Sequence, residues 1–291
     1  GGTPKKIPKT EGEGIIYYRT KEDFLKLKEL VEKNTRFGVI GGGFIGSEIA
    51  AAIKIYKPDA EVTIIFPETG ICALIFPKEL SNYLNEYYRE NEIEVLNGDL
   101  VENIKRTNNE YIVETKNKRK LTFDVIIAGL GIRPNIDLAK NAGLKVDNGI
   151  TVNKFLQTSI ADIYAAGDAA SYYSPALDKF IRVEHEDNAL TMGEVAGANM
   201  AGEQTPYEHL SLFYSDLFDL GYEAVGELSS NLEIVEDWFD PNNEGVVYYL
   251  EKERVKGVLL WNVWEKAEDA REIIAEKGSF SLKNLKGRIQ P

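Results

Sequence analysis

Gly41, Gly43 and Gly46 stand in G-x-G-x-x-G spacing between an apolar run, Arg36-Phe37-Gly38-Val39-Ile40, and an alanine-rich stretch, Ser47-Glu48-Ile49-Ala50-Ala51-Ala52-Ile53-Lys54. A second apolar run, Glu61-Val62-Thr63-Ile64-Ile65-Phe66, follows the turn residues Pro58-Asp59-Ala60. Strand, glycine turn, helix and buried strand in that order make a βαβ unit of the Rossmann type. The first glycine permits a tight turn, the second lets backbone approach a diphosphate, and the third lets the helix pack on the sheet. The helix start then offers unbonded N–H groups and a partial positive charge to the phosphates. Residues 36–66 are therefore expected to bind a dinucleotide on a parallel sheet.

The flanking patterns extend that sheet. Gly14 to Tyr18 reads as a short strand, and Phe24, Leu27, Leu30 and Val31 recur at helical spacing over 21–33. A helix over 78–90, a strand over 93–96, and two alternating strands over 100–107 and 111–116 with Asn108-Asn109 at the turn are predicted next. Residues 123–128 read as one buried strand. Past Gly131 the pattern changes to a short strand over 163–166 ending at Gly167-Asp168, then a helix over 188–200. After Pro206 the chain reads as an α+β unit, with a hairpin over 245–263 turning near Lys252-Glu253 and a helix over 265–277.

Composition excludes several functions. At 291 residues two domains are the default and three are compatible. A net charge of −13 repels phosphate backbones and anionic membranes, and disfavours strongly acidic protein partners, so no nucleic-acid partner is expected. No apolar run approaches the roughly 18 residues of a membrane-spanning helix. The one cysteine, Cys72, rules out a disulfide framework and fits a reducing compartment, taken as the cytoplasm. Two histidines, His185 and His209, speak against a histidine-based metal centre, and no metal is expected. The chain has no signal-like start and no initiator Met, and is expected to be a piece of a longer or processed protein.

The dinucleotide site has irregular features. The acid that ends the second strand of such units is replaced by Phe66, and Glu68 follows after Pro67. Glu68 is either the ribose-binding acid or a solvated loop acid. No Arg lies between Glu61 and Tyr88 to pair with a 2′-phosphate, which favours NADH over NADPH. Glu48, placed in the first helical turn, either stabilises the helix dipole or accepts a hydrogen bond from the nicotinamide amide. Phe44 is either a core plug or a gate over the nicotinamide.

Gly41-Gly42-Gly43-Phe44-Ile45-Gly46-Ser47-Glu48 resembles the NADH motif of the pyridine nucleotide–disulfide oxidoreductase superfamily. Gly1-Gly2-Thr3-Pro4 resembles the tail of its ATGG-type FAD motif, and residues 128–135, Ala-Gly-Leu-Gly-Ile-Arg-Pro-Asn, its second linking motif. Residues 157–168, ending Tyr164-Ala165-Ala166-Gly167-Asp168, resemble its second FAD motif. The stretches Phe66-Pro67-Glu68, Arg182-Val183-Glu184-His185, Phe213-Tyr214-Ser215-Asp216, Gly221-Tyr222-Glu223 and Leu260-Trp261-Asn262 are most similar to the apoptosis-inducing factor and ferredoxin-reductase-like branch.

The resemblance implies an α/β fold of Rossmann-type FAD/NAD-linked reductase domains with a C-terminal α+β domain. It implies an NAD(H)-binding domain over 1–132, with 1–10 a remnant of the FAD domain. The C-terminal part of the FAD domain would span 133–208, and an interface or dimerisation domain 209–291. FAD and NAD are the implied cofactors. Gly41, Gly43, Phe44, Ile45, Gly46, Glu48 and Glu68 are expected to touch NAD. Gly131, Gly167 and Asp168 are expected at the FAD, with Asp168 on its ribityl chain. Glu184, His185, Phe213 and Tyr214 are expected beside the flavin ring and nicotinamide, with Glu48, Glu184, His185 and Tyr214 the catalytic set. His185 has a plainer reading as a helix cap or core contact.

The expected activity is hydride transfer from NADH to flavin, with electrons passed to a carrier protein, a quinone or a small oxidant. A disulfide, peroxide or oxygen reductase of the same superfamily, and an NADH-responsive interaction module, are the alternatives. A homodimer is an expected assembly, with the 265–277 helix either its contact or packed on its own domain. The sequence departs from the family pattern in three places. The first FAD-binding unit, with its own G-x-G-x-x-G, is absent from these residues. Cys72-Ala73-Leu74 stands where apoptosis-inducing factors carry a loop Lys. Only Trp238 to Glu244 stands in place of their long C-terminal insertion.

Overall fold

The structure, a computed structural model, describes residues 1–8, 10, 11 and 14–291. Four parallel strands form the expected sheet in the order Ile93–Asn97, Glu61–Phe66, Arg36–Ile40, Val125–Ala128. Val39, Ile64 and Ile127 alternate with Ile40, Ile65 and Ile126, so the two faces feed two separate hydrophobic clusters. Helices Phe44–Tyr56 and Lys78–Glu90 belong to the first cluster. An antiparallel meander, Val101–Thr107, Glu110–Thr115 and Lys120–Phe123, covers the second face, with Thr10–Glu11 paired in parallel at its edge.

Two expected strands of this unit differ. The 123–128 run is split at Asp124, where the chain leaves the meander and enters the parallel sheet. The Asp124 carboxylate fixes that crossing by accepting the Thr35 and Arg36 amides at 3.2 and 2.9 Å and pairing with the Arg36 guanidinium. The Gly14–Tyr18 segment contributes a single parallel bridge, Ile16 to Ile127, instead of a strand.

Gly2–Pro4 and Ile132–Pro134 pair antiparallel, so the stretch that resembles the tail of an FAD motif and the one that resembles a linking motif lie side by side as a ribbon. Thr3 donates to Asn135 Oδ1 at 2.7 Å, and the Lys5 amide to the Gly131 carbonyl at 3.0 Å. Beyond this ribbon comes a four-stranded sheet, Val146–Asp147, Gly149–Thr151, Ala170–Ser174 and Lys179–Ile181, followed by the helix Glu186–Met200. Among the described residues the expected 163–166 strand makes one bridge, Tyr164 to Gln157, and forms no strand. The helix begins two residues before its expected start, directly after His185.

The C-terminal unit is a five-stranded antiparallel sheet in the order Leu212–Leu217, Leu220–Gly226, Arg254–Trp261, Glu244–Glu251, Glu233–Asp240. Lys252 and Glu253 turn the predicted hairpin with φ of +51° and +59°, the left-handed pair a tight two-residue turn needs. Tyr222, Leu259 and Trp261 face the cluster shared with the Rossmann helices, whereas Val258 and Leu260 face the helix Ala267–Ala275. That helix is shorter than expected because Glu265 takes a φ of +59° and Lys266 caps it. Its Ala270, Ile273 and Ile274 are buried on its own sheet.

Candidate functional site

The glycine turn has the geometry its spacing demands. Gly41 sits at φ +113°, and a Cβ there would lie 2.3 Å from the Gly129 carbonyl oxygen. A Cβ on Gly46 would lie 1.9 Å from the Gly41 carbonyl oxygen, so helix and strand touch through bare backbone. Gly43 is the N-cap of Phe44–Tyr56; no side chain caps the helix, and a Cβ on Gly43 would meet nothing within 4 Å. Uncapped amides beneath open space fit a diphosphate. Ile45 is exposed at this mouth, and Glu68 is half-buried two residues beyond the Glu61–Phe66 strand.

Glu48 departs from its expected place. The helix begins at Phe44, so Glu48 lies in the second turn and the helix-dipole reading is removed. Its Oε1 instead accepts the Ser215 hydroxyl at 2.6 Å, from the C-terminal sheet. Burial raises the Glu48 pKa, the Ser215 bond opposes the rise, and the charge of Asp216 adds to it. Phe44 packs edge-on to Phe213 at 5.2 Å between ring centroids, and Phe213 lies 4.3 Å from the His185 ring. Residues from three separate stretches of chain therefore meet at one place. Tyr214 projects from the opposite pleat and is 65% exposed, away from the Phe44–Phe213–His185 contact.

His185 Nδ1 lies 3.1 Å from the Ser211 hydroxyl. Burial pushes the imidazole down to about 4, against the opposing charges of Asp187 and Asp168, so the ring is neutral at pH 7. In the unfolded chain it protonates near the reference value of about 6.5. Between those values the unfolded state binds more protons, so the stability present above pH 7 is lost as pH falls toward 4. The full loss is on the order of 3 kcal/mol. Urea midpoints at pH 7.5 and 4.5 are expected to show this slope, and His185→Gln to flatten it.

Asp168 follows Gly167, which takes φ +72°. Its carboxylate pairs with Arg19, and its backbone carbonyl accepts Arg182 Nη1 at 2.9 Å. The same Nη1 pairs at 2.6 Å with Glu184, which is otherwise exposed. The helix after His185 has no side-chain cap, but its first turn carries Glu186 and Asp187, whose charges offset its dipole. Asp187 is also engaged, by the Leu212 amide at 2.8 Å, His209 at 2.6 Å and Arg271 at 3.6 Å. A cleft of about 730 Å³ adjoins Arg182 and the linker ribbon, lined by Lys5, Lys6, Arg133 and Asn148.

Cys72 lies behind the glycine turn, its amide donating to the Gly42 carbonyl at 2.7 Å. Burial pushes its thiol up to about 12, so it stays protonated and is a poor nucleophile. Arg19, Ser211, Ser215 and the Asp187–His209–Arg271 group escape a reading of the sequence. Their partners lie far along the chain, 149 residues in the case of Arg19 and 167 for Ser215.

Comparison with known proteins places the chain in a family. A family model described as pyridine nucleotide-disulphide oxidoreductase matches residues 1–201. One described as apoptosis-inducing factor, mitochondrion-associated, C-term matches residues 196–244 and 235–276. The chain is 36% identical to mitochondrial apoptosis-inducing factor 1 of Dictyostelium discoideum over 95% of its own length and 56% of the relative. It is 29% identical to putidaredoxin reductase of Pseudomonas putida, over 95% of this chain and 67% of the relative. The solved covalent putidaredoxin reductase–putidaredoxin complex superposes with a TM-score of 0.88 at 30% identity, over 98% of this chain and 70% of the other. The chain spans about half the length of the apoptosis-inducing factors it matches, 56% and 46% of two of them. With sequence motifs, parallel sheet and family match in agreement, the chain belongs to the pyridine nucleotide-disulphide oxidoreductase family, whose members are NAD(P)H flavoprotein oxidoreductases.

Proposed function

We propose that this chain carries the NADH site and part of the FAD site of an oxidoreductase that moves electrons from NADH to a carrier protein. The observation that carries this reading is the meeting of Phe44, Glu48, His185 and Phe213 beside an uncapped, open glycine turn. The NAD(H)-binding domain would span 1–132, the C-terminal part of the FAD domain 133–208, and the α+β domain 209–291. When bound, FAD supplies the redox chemistry, taking hydride from NADH and passing electrons on.

The residues divide the remaining work. Amides at Gly43, Phe44, Ile45 and Gly46 hold the NAD diphosphate, and Glu68 accepts from the adenine ribose hydroxyls. Glu48, held by Ser215, accepts from the nicotinamide amide, and Phe44 covers that ring. Asp168, oriented by Arg19, holds the flavin ribityl chain, and the turns at Gly131 and Gly167 let backbone approach it. Glu184, His185 and Phe213 border the ring system, and the exposed Tyr214, on the other pleat of its strand, would reach it only from a different side. With Nδ1 on Ser211, His185 presents Nε2 to the cofactors, and its neutral state spares the site a buried positive charge. A helix start can stabilise negative charge on a reduced flavin, but Glu186 and Asp187 in the first turn of Glu186–Met200 weaken that help here.

A carrier protein is favoured as acceptor by the solved reductase that is bound to putidaredoxin. Cys72, buried and with its thiol pushed up, is not suited to act as a redox thiol. Among the described residues no helix is long and apolar enough to cross a membrane. For location we retain a reducing compartment, the cytoplasm. The mitochondrial name of the Dictyostelium relative is the observation that favours an organelle instead. The test is anaerobic addition of NADH to the full-length protein. We expect the flavin absorbance to bleach and to return on adding an oxidised ferredoxin-type carrier. Binding of NADH without bleaching would leave the interaction-module reading instead.

A further inference from the structure

The loop that carries Glu68 has no secondary structure of its own to hold it, since residues 67–76 are turns and bends. Helix Lys78–Glu90 supplies what is missing. The Asn85 side chain, 4% exposed, donates Nδ2 to the Thr69 carbonyl at 3.0 Å and accepts the Ile71 amide on Oδ1 at 3.1 Å. Ser81, one turn earlier on the same face, donates to the Ile71 carbonyl at 2.6 Å, and Gly70 packs so closely that a Cβ there would lie 2.4 Å from Ser81 Oγ. Tyr88, three residues after Asn85, donates to the Ser47 carbonyl at 3.0 Å, one turn into the glycine-turn helix. From the other side Asn97 donates to the same Thr69 carbonyl at 2.8 Å, and the Gly98 amide to the Glu68 carbonyl at 2.9 Å.

Buried polar side chains in this setting carry a desolvation cost that only satisfied hydrogen bonds offset. Ser81, Asn85 and Tyr88 lie at i, i+4 and i+7 on a face that would otherwise be apolar; the first two bond backbone of the Glu68 loop and the third bonds backbone of the glycine-turn helix. We propose that this face is a positioning template that sets the distance between the diphosphate turn and the Glu68 carboxylate. Asn85 is its central residue and governs affinity for the adenosine half of NADH. This rests on the nucleotide reading of residues 41–68 and adds the element that holds its two ends in register.

The test compares NADH with reduced nicotinamide mononucleotide, which lacks the adenosine half, as electron donors for the full-length protein. Asn85→Leu, of similar volume, removes both loop bonds. It is expected to raise the NADH KM about tenfold, the equivalent of about 1.4 kcal/mol, with kcat within about twofold. The KM for the mononucleotide should stay unchanged. Asn97→Ala, at a half-buried site that keeps the Asn85 bonds, should give the same split with a smaller rise. If Asn85→Leu fails to fold, Asn97→Ala and Ser81→Ala carry the test alone. An unchanged NADH KM, or equal losses with both donors, would overturn the template. A wild-type protein that oxidises neither donor would instead overturn the nucleotide reading itself.

Discussion

Gly46→Ala is expected to destabilise the Rossmann unit by about 3 kcal/mol and to abolish NADH binding. Alanine is favoured over glycine inside a helix by only about 1 kcal/mol, so propensity does not rescue the change. The new Cβ would meet the Gly41 carbonyl oxygen at 1.9 Å, and that atom is backbone. It cannot retreat, because the Gly41 amide is bonded to Ile65 at 2.9 Å and the Gly129 amide to Ile40 at 2.9 Å. Gly43→Ala is the informative contrast. Gly43 has φ −84°, which any residue adopts, and open space where the Cβ would go. Its stability should stay within about 0.5 kcal/mol of wild type. NADH affinity should nevertheless fall about a hundredfold, because the methyl occupies space intended for the diphosphate. Urea denaturation and NADH titration of both variants check this, and equal effects on stability would show that the turn is only a packing device.

The second large effect is expected at Asp168. Asp168→Ala removes a charged acceptor whose side chain is 13% exposed and leaves Arg19, 37% exposed, able to turn to water. The stability cost of losing that pair should therefore be below about 1 kcal/mol. Flavin retention should fall far more, by about tenfold to a hundredfold, the worth of a charge-assisted hydrogen bond to the cofactor. The ratio of flavin to protein after gel filtration is the readout. Arg19→Ala should shift it in the same direction by less, since it loosens the carboxylate without removing it. Full flavin content in Asp168→Ala would remove Asp168 from the site.

Local signals were readable wherever one segment is enough to impose a conformation. The glycine spacing predicts the turn at Gly41–Gly46, alternation predicts the meander, and Lys252-Glu253 between two apolar runs marks the hairpin. The Asp168 motif is legible through family resemblance, and its ion pair with Arg19 is not, because nothing near residue 19 reports on residue 168. The same holds for Ser215 on Glu48 and Ser211 on His185, where a hydroxyl from the C-terminal sheet completes a residue from another unit. The motif alone puts Glu48 in the first helical turn, whereas the helix starts at Phe44, inside the motif, with Gly43 as an N-cap that has no side chain. The apolar run 123–128 predicts a single strand, and only the need to change sheets explains the break at Asp124. The 163–166 segment has strand composition but makes only the Tyr164–Gln157 bridge, and composition cannot supply a partner.

The most direct test of the account is a crystal structure of the full-length protein with NADH bound. The diphosphate is predicted to lie within hydrogen-bond reach of the amides of residues 43–46, and the nicotinamide among Phe44, Glu48 and His185. NADH seated instead in the basic cleft beside Arg133 and Arg182, with the glycine turn empty, would contradict it.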